Sequence, residues 1–141
     1  FETSSVYTGT EWSPNIDLTP GIGFILTPME DYEVTFAGQP FDSSVAVNIQ
    51  GVGNVFGIPF CGDKYTASQA LQEVRAIEPR CKTIMNQAQN AKTSPVLYWG
   101  SEDMNGIKSD FKLNNYEAYY FLCEPGVDFV WKPSCSPAAG V

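Results

Sequence analysis

Large and polar side chains alternate along much of this chain with the period of two that a half-buried strand imposes. "YEVTF" (Tyr32 to Phe36) and "VAVNI" (Val45 to Ile49) show the alternation most plainly. "PVLYW", "YYFLC" and "DFVW" are short apolar or aromatic runs bounded by Gly, Pro or Asn, which marks further strands with turns between them. One segment changes period. In "TASQALQEVRAIEP" the residues Ala67, Ala70, Leu71, Val74 and Ile77 recur at helical spacing, Thr66 and Gln69 stand in capping-box positions, and Pro79 stops the run. The pattern predicts one helix of about three turns laid on a sheet. "CKTIMNQAQNAK" fits either period through Ile84, Met85 and Ala88, and is read here as a strand.

The glycine-rich stretch "GVGNVFGIPFCG", residues 51 to 62, raises the question of a phosphate loop. A Walker loop needs a lysine to reach the phosphates, and this stretch holds no basic residue. A dinucleotide fingerprint needs GxGxxG opening a helix, whereas Gly51, Gly53 and Gly57 are spaced GxGxxxG and are followed by "IPF". As a strand, "NVFGIPF" places Val55, Gly57 and Pro59 on one side and Asn54, Phe56, Ile58 and Phe60 on the other. Gly57 then marks a bulge or the close approach of another backbone, and Pro59 an edge or strand end.

An internal echo joins two distant stretches. "NIDLTPGIGFIL" from Asn15 can be laid over "DFKLNNYEAYYF" from Asp110, and each is followed by a turn and a further aromatic strand. Two related hairpins, 15–36 and 110–131, are therefore expected within a single β-rich domain spanning 15–141. The order "VAVNIQGVGNVFGIPF", "YTASQALQEV", a cysteine, then "DFKLNNYEAYYFLCEPGVDFVW" resembles a β-rich module repeated in secreted and cell-surface proteins of bacteria and archaea. Those modules carry a strand with a G-x-N-apolar-x-G-apolar-P motif, a short Thr-Ala helix and a closing aromatic hairpin ending near a tryptophan. The sequence departs from that pattern at Gly53 and at Asn115-Tyr116. The resemblance implies a non-catalytic extracellular part and brings no active-site residues with it.

Composition agrees with a packed sheet protein: 141 residues, 43% hydrophobic, 17% charged, with seven Tyr, nine Phe and three Trp. The fold class expected is mainly β, an antiparallel β-sandwich or barrel-like sheet with one short α-helix, disulfide-bonded. Net charge is −8 with no Lys/Arg cluster, which excludes nucleic acid as a partner. No apolar run is long enough for a transmembrane helix. Cys61, Cys81, Cys123 and Cys135 lack CxxC spacing and histidine is absent, so two disulfides formed in an oxidising compartment are expected rather than a zinc site. The sequence begins at Phe1, as removal of a leader would leave it, although a boundary set in expression would look the same. Secretion to the cell surface is the expected localisation. The closing hairpin should lie near the helix end and the tail near the bent strand, which favours Cys81 with Cys123 and Cys61 with Cys135 among the three possible pairings.

Candidate chemistry changes this picture little. Without histidine a Ser-His or Cys-His nucleophile system is excluded, and the remaining carboxylate neighbours, Glu30, Asp31 and Glu33 or Glu102 and Asp103, are what turns of an acidic protein produce. No enzyme and no cofactor are expected. "EDMNGIKSD" lacks the ligand spacing and terminal glutamate of a calcium loop, and its Asn105-Gly106 pair reads as a type I′ or related turn. Two binding hypotheses remain. Residues 1–14 form an extended segment that either folds back onto its own sheet or, with Phe1, Val6, Tyr7 and Trp12 as candidates, acts as a donor strand linking copies of the protein into a filament or pilus-like homopolymer. Trp99, Tyr116 and Trp131 are candidates for an aromatic platform of a glycan-binding or adhesive module.

Overall fold

The computed structural model describes residues 4–17, 21–23, 26–27, 29–31, 46–58, 64–86, 96–100, 105–114 and 117–134. Tyr32 to Phe36, Cys61, Cys135, Phe1, Tyr116, Glu33, Glu102 and Asp103 lie outside them. The architecture is mainly β with one helix. Its frame is a single pair of segments that stays hydrogen-bonded through a corner. On one arm β3 (Val47–Gln50) pairs antiparallel with β9 (Asp128–Trp131), from Val47 opposite Trp131 to Gln50 opposite Asp128. On the other, β4 (Gly53–Gly57) pairs with β8 (Ala118–Cys123), from Gly53 opposite Leu122 to Gly57 opposite Ala118. The corner is stitched by Gly51 N–H donating to Val127 O and Cys123 N–H donating to Val52 O, both at 2.8 Å. Residues 51–52 face 123–127 there, so the arms are unequal and the ladder must turn. Gly51 (φ +71) and Gly126 (φ +82) supply the left-handed backbone the turn needs.

Beyond the corner, β8 lies inside a five-stranded sheet in the order β4, β8, β5 (Cys81–Asn86), β6 (Leu97–Gly100), β7 (Ile107–Lys108). The helix α1 (Ala67–Ile77) packs on β5, β6 and β9 and thus bridges the two sheets. Its start is fixed twice over. Thr66 and Gln69 form the reciprocal capping box, and Asp110 accepts hydrogen bonds from Ser68 N–H (2.9 Å) and Ser68 Oγ (2.6 Å), placing a carboxylate at the positive helix end. Ala67, Ala70, Leu71 and Val74 are buried as their spacing requires. At its other end, Arg75 donates to Cys81 O (3.1 Å) and Lys82 O (2.9 Å), satisfying carbonyls at the bulge where the β5–β8 register skips Lys82. Between the layers Phe56 stacks on Phe121 with ring centroids 4.4 Å apart, and Trp131 stands edge-on to both at 5.5 and 5.3 Å. Each such ring contributes about 1.5–3 kcal/mol by leaving water.

Cys81 and Cys123 are joined by a disulfide, their Cα atoms 3.9 Å apart in directly opposed positions of β5 and β8. The strand reading of "CKTIMN" holds for residues 81–86. Phe56 and Ile58 are buried on one side of the glycine-rich strand, and Gly57 N–H donates to Gly21 O at 3.0 Å, the close backbone approach expected there.

The hairpin expected over 15–36 lies in large part outside the described residues; within it Ile22 forms a bridge with Phe56. Three expectations are corrected. β8 and β9 are consecutive but not a hairpin, because each pairs with a different arm of 47–57; the stretch 118–131 is a sheet-switching corner. The sheet is not wholly antiparallel, since β7 runs parallel to β6 at the edge after the backbone returns to the start of β6. Ile77 is exposed, because the helix ends there and the backbone turns away through Pro79.

Candidate functional site

The N-terminal segment folds on itself. β1 (Val6–Tyr7) pairs antiparallel with β2 (Trp12–Ser13), with Val6 opposite Ser13 and Tyr7 opposite Trp12. The turn is closed by Thr8 N–H and Thr8 Oγ1, which both donate to Glu11 O (2.9 and 3.1 Å), with Gly9 at φ +99. Ser5 Oγ donates to Pro14 O at 2.6 Å and ties the two ends together. The single extended strand expected over 1–14 is thus, across residues 6–13, a short hairpin, because the turn residues between two β-forming pairs favour local pairing over a long extended run.

What sets this hairpin apart is its surface. Val6 is 68% exposed, Tyr7 50% and Trp12 45%, and among the described residues neither strand packs on any other helix or strand. Tyr7 and Trp12 touch across the strands with ring centroids 5.3 Å apart and planes inclined at 49°. A cross-strand aromatic pair of this kind stabilises a hairpin modestly. A two-stranded ribbon is marginal on its own in water, and its outer main-chain edges have no sheet partner among the described residues. Such a ribbon is therefore suited to gain an edge partner and an apolar cover together.

The other aromatic candidates are placed differently. Trp131 is 1% exposed, at the centre of the core, which removes it from any sugar-stacking platform; its position at the end of β9 turns it inward against Phe56 and Phe121. Trp99 is half-buried and packed against the same core.

A half-buried polar hub has no counterpart among the sequence expectations. Glu73, on α1, accepts hydrogen bonds from Tyr65 Oη (2.8 Å), Trp131 Nε1 (3.1 Å), Ser134 N–H (3.1 Å) and Ser134 Oγ. One carboxylate thus fastens helix, β9 and the residues after it. Burial first and Glu73 second push the Tyr65 hydroxyl well above its ordinary range. Tyr119 plays a similar part in the loop before β8: its hydroxyl accepts from Asn114 N–H (2.6 Å) and donates to Glu117 (2.9 Å), and burial raises its pKa too. On the surface, hydrogen bonds from the Arg80 side chain and backbone hold the Glu78 carboxyl down to about 2. Each group is engaged in holding structure. No local signal marks Glu73 in the sequence, since its donors lie 8 and 58 residues away at Tyr65 and Trp131. No family model, curated protein or solved structure matches this sequence.

Proposed function

We propose that this protein is a non-catalytic, self-assembling structural subunit of an extracellular surface, linked to neighbouring copies through its N-terminal hairpin. The observation that carries this reading is the ribbon of residues 6–13, which presents Val6, Tyr7 and Trp12 to solvent and leans on no other element among the described residues. Docking on a second copy would bury that apolar surface and pair an open main-chain edge in one event. A contact from the hairpin of one copy to a different surface of the next is heterologous, and repetition gives a filament. The Cys81–Cys123 disulfide is compatible with an oxidising, extracellular setting, and no helix among the described residues is long and apolar enough to cross a membrane. The glycan-platform reading has less support, with Trp131 inside the core and the Tyr7 and Trp12 rings tilted rather than coplanar.

Electron microscopy of the natively purified protein tests this. Regular filaments are expected from the full-length protein, and a dispersed, folded monomer after deletion of residues 1–13. A truncated protein that still polymerises overturns the role of the hairpin.

A further inference from the structure

Asn105-Gly106 is expected to form a type I′ or related turn, and type I′ would place both residues at positive φ. Neither has it: among the described residues no non-glycine residue has positive φ, and Gly106 is not one of the glycines that do. The glycine is there for space. A Cβ built on Gly106 would lie 2.4 Å from Val96 O, closer than real atoms approach, so the backbone entering β7 passes against the residue before β6 with no room for a side chain. Close packing at a sheet edge therefore keeps a glycine directly after an exposed asparagine.

From this we infer that Asn105 is a site of spontaneous backbone-assisted modification, in which its side-chain amide is converted to a carboxylate through a cyclic imide. In this reaction the Gly106 backbone nitrogen, having lost its proton, attacks the amide carbon, Cγ, of the Asn105 side chain. A bond forms between that nitrogen and Cγ, the bond from Cγ to Nδ2 breaks, and ammonia leaves with the proton. Water then opens the five-membered imide at either carbonyl, giving aspartate or isoaspartate at position 105. The net change is amide plus water to acid plus ammonia, and water is the one co-reactant.

Two features favour the step here. Asn105 and Gly106 are both exposed and precede β7 in a bend, free of the dihedral limits of a strand. No described residue accepts a hydrogen bond from the Gly106 amide, so the nucleophile is not tied up within the described fold. Elsewhere the conditions fail: Asn48, Asn54 and Asn86 lie within β3, β4 and β5, and Asn105 is the one asparagine in the sequence followed by glycine.

The consequence falls on the sheet edge. Ile107 N–H donates to Val96 O at 2.8 Å and Ser109 N–H to Tyr98 O at 3.0 Å, and these bonds hold β7 to β6. Isoaspartate routes the backbone through the former side chain, adding one backbone atom just ahead of the first of these bonds. Either product adds a negative charge to a protein already at −8. The site thus ages both the charge of the molecule and the register of its outermost strand.

The test is incubation of the intact, folded protein at mildly alkaline pH, followed by reduction, trypsin digestion and mass spectrometry. Residues 93–108 are released as one peptide in which Asn105 is the single amide side chain. That peptide should acquire the acid form in two chromatographically separate isomers, several-fold faster than the peptides carrying Asn86 or Asn114, and the whole protein should gain a more acidic ion-exchange peak. An Asn105→Ser variant, which keeps Gly106 in its tight place, should lose the new peak. A folded protein whose 93–108 peptide stays in the amide form, while the same peptide from urea-unfolded protein converts, overturns the inference.

Discussion

Glu73 shows how much of this fold rests on one side chain. Three of its four hydrogen bonds converge on a single oxygen, from Tyr65, Trp131 and the Ser134 amide, and every partner is a donor. Glu73→Gln keeps the shape but removes the charge that strengthens three hydrogen bonds to one oxygen, and its amide nitrogen then requires the Ser134 hydroxyl to turn and accept. Loss of stability by about 1–3 kcal/mol is expected, read from the urea midpoint. The tyrosines set a pH limit from the other side. Burial raises the pKa of Tyr65 and Tyr119 in the folded state above the unfolded value near 10, so their contribution is complete below pH ~10 and is lost as pH rises further. Alkaline unfolding should therefore set in above that pH, with tyrosinate absorbance from these two residues and loss of far-UV signal rising together. Titration of Tyr65 or Tyr119 well below the unfolding transition, read by comparison with Tyr65→Phe and Tyr119→Phe variants, would count against it.

At the scale of elements the disulfide and the corner matter most. Cys81 and Cys123 join the first residue of β5 to the last of β8, beside the point where the paired arms turn. Replacing both by Ser should cost about 2–5 kcal/mol and lower Tm without abolishing the secondary structure. Unchanged stability would show that the corner is held by its ladder alone. The helix, with its cap and four of its five apolar positions, was readable in the sequence because capping and helical periodicity are local. So were the strands from 47 to 57 and from 118 to 131. Their partners were not: a Pro-Gly turn between two aromatic runs looks like a hairpin, and only the distant arm 47–57 makes it a corner. Ile77 and Trp131 were misplaced for the same reason, since which side of an element meets the core is decided by what packs on it. The N-terminal ribbon was legible as β-forming residues, but its pairing with itself depends on the turn from Thr8 to Glu11.

For the whole molecule, the hairpin of residues 6–13 contacts no other described helix or strand, and the proposed function makes it the joint between copies. Its apolar side chains are exposed at a cost that a single copy does not recover, and a neighbour can offset it. Sedimentation velocity over a rising concentration series measures this most directly, comparing the full-length protein with a Tyr7→Ser, Trp12→Ser double variant. The full-length protein should sediment as species that grow with concentration, while the double variant remains a monomer with an unchanged far-UV spectrum. A full-length protein that stays monomeric throughout, or a variant that assembles just as well, would contradict the account.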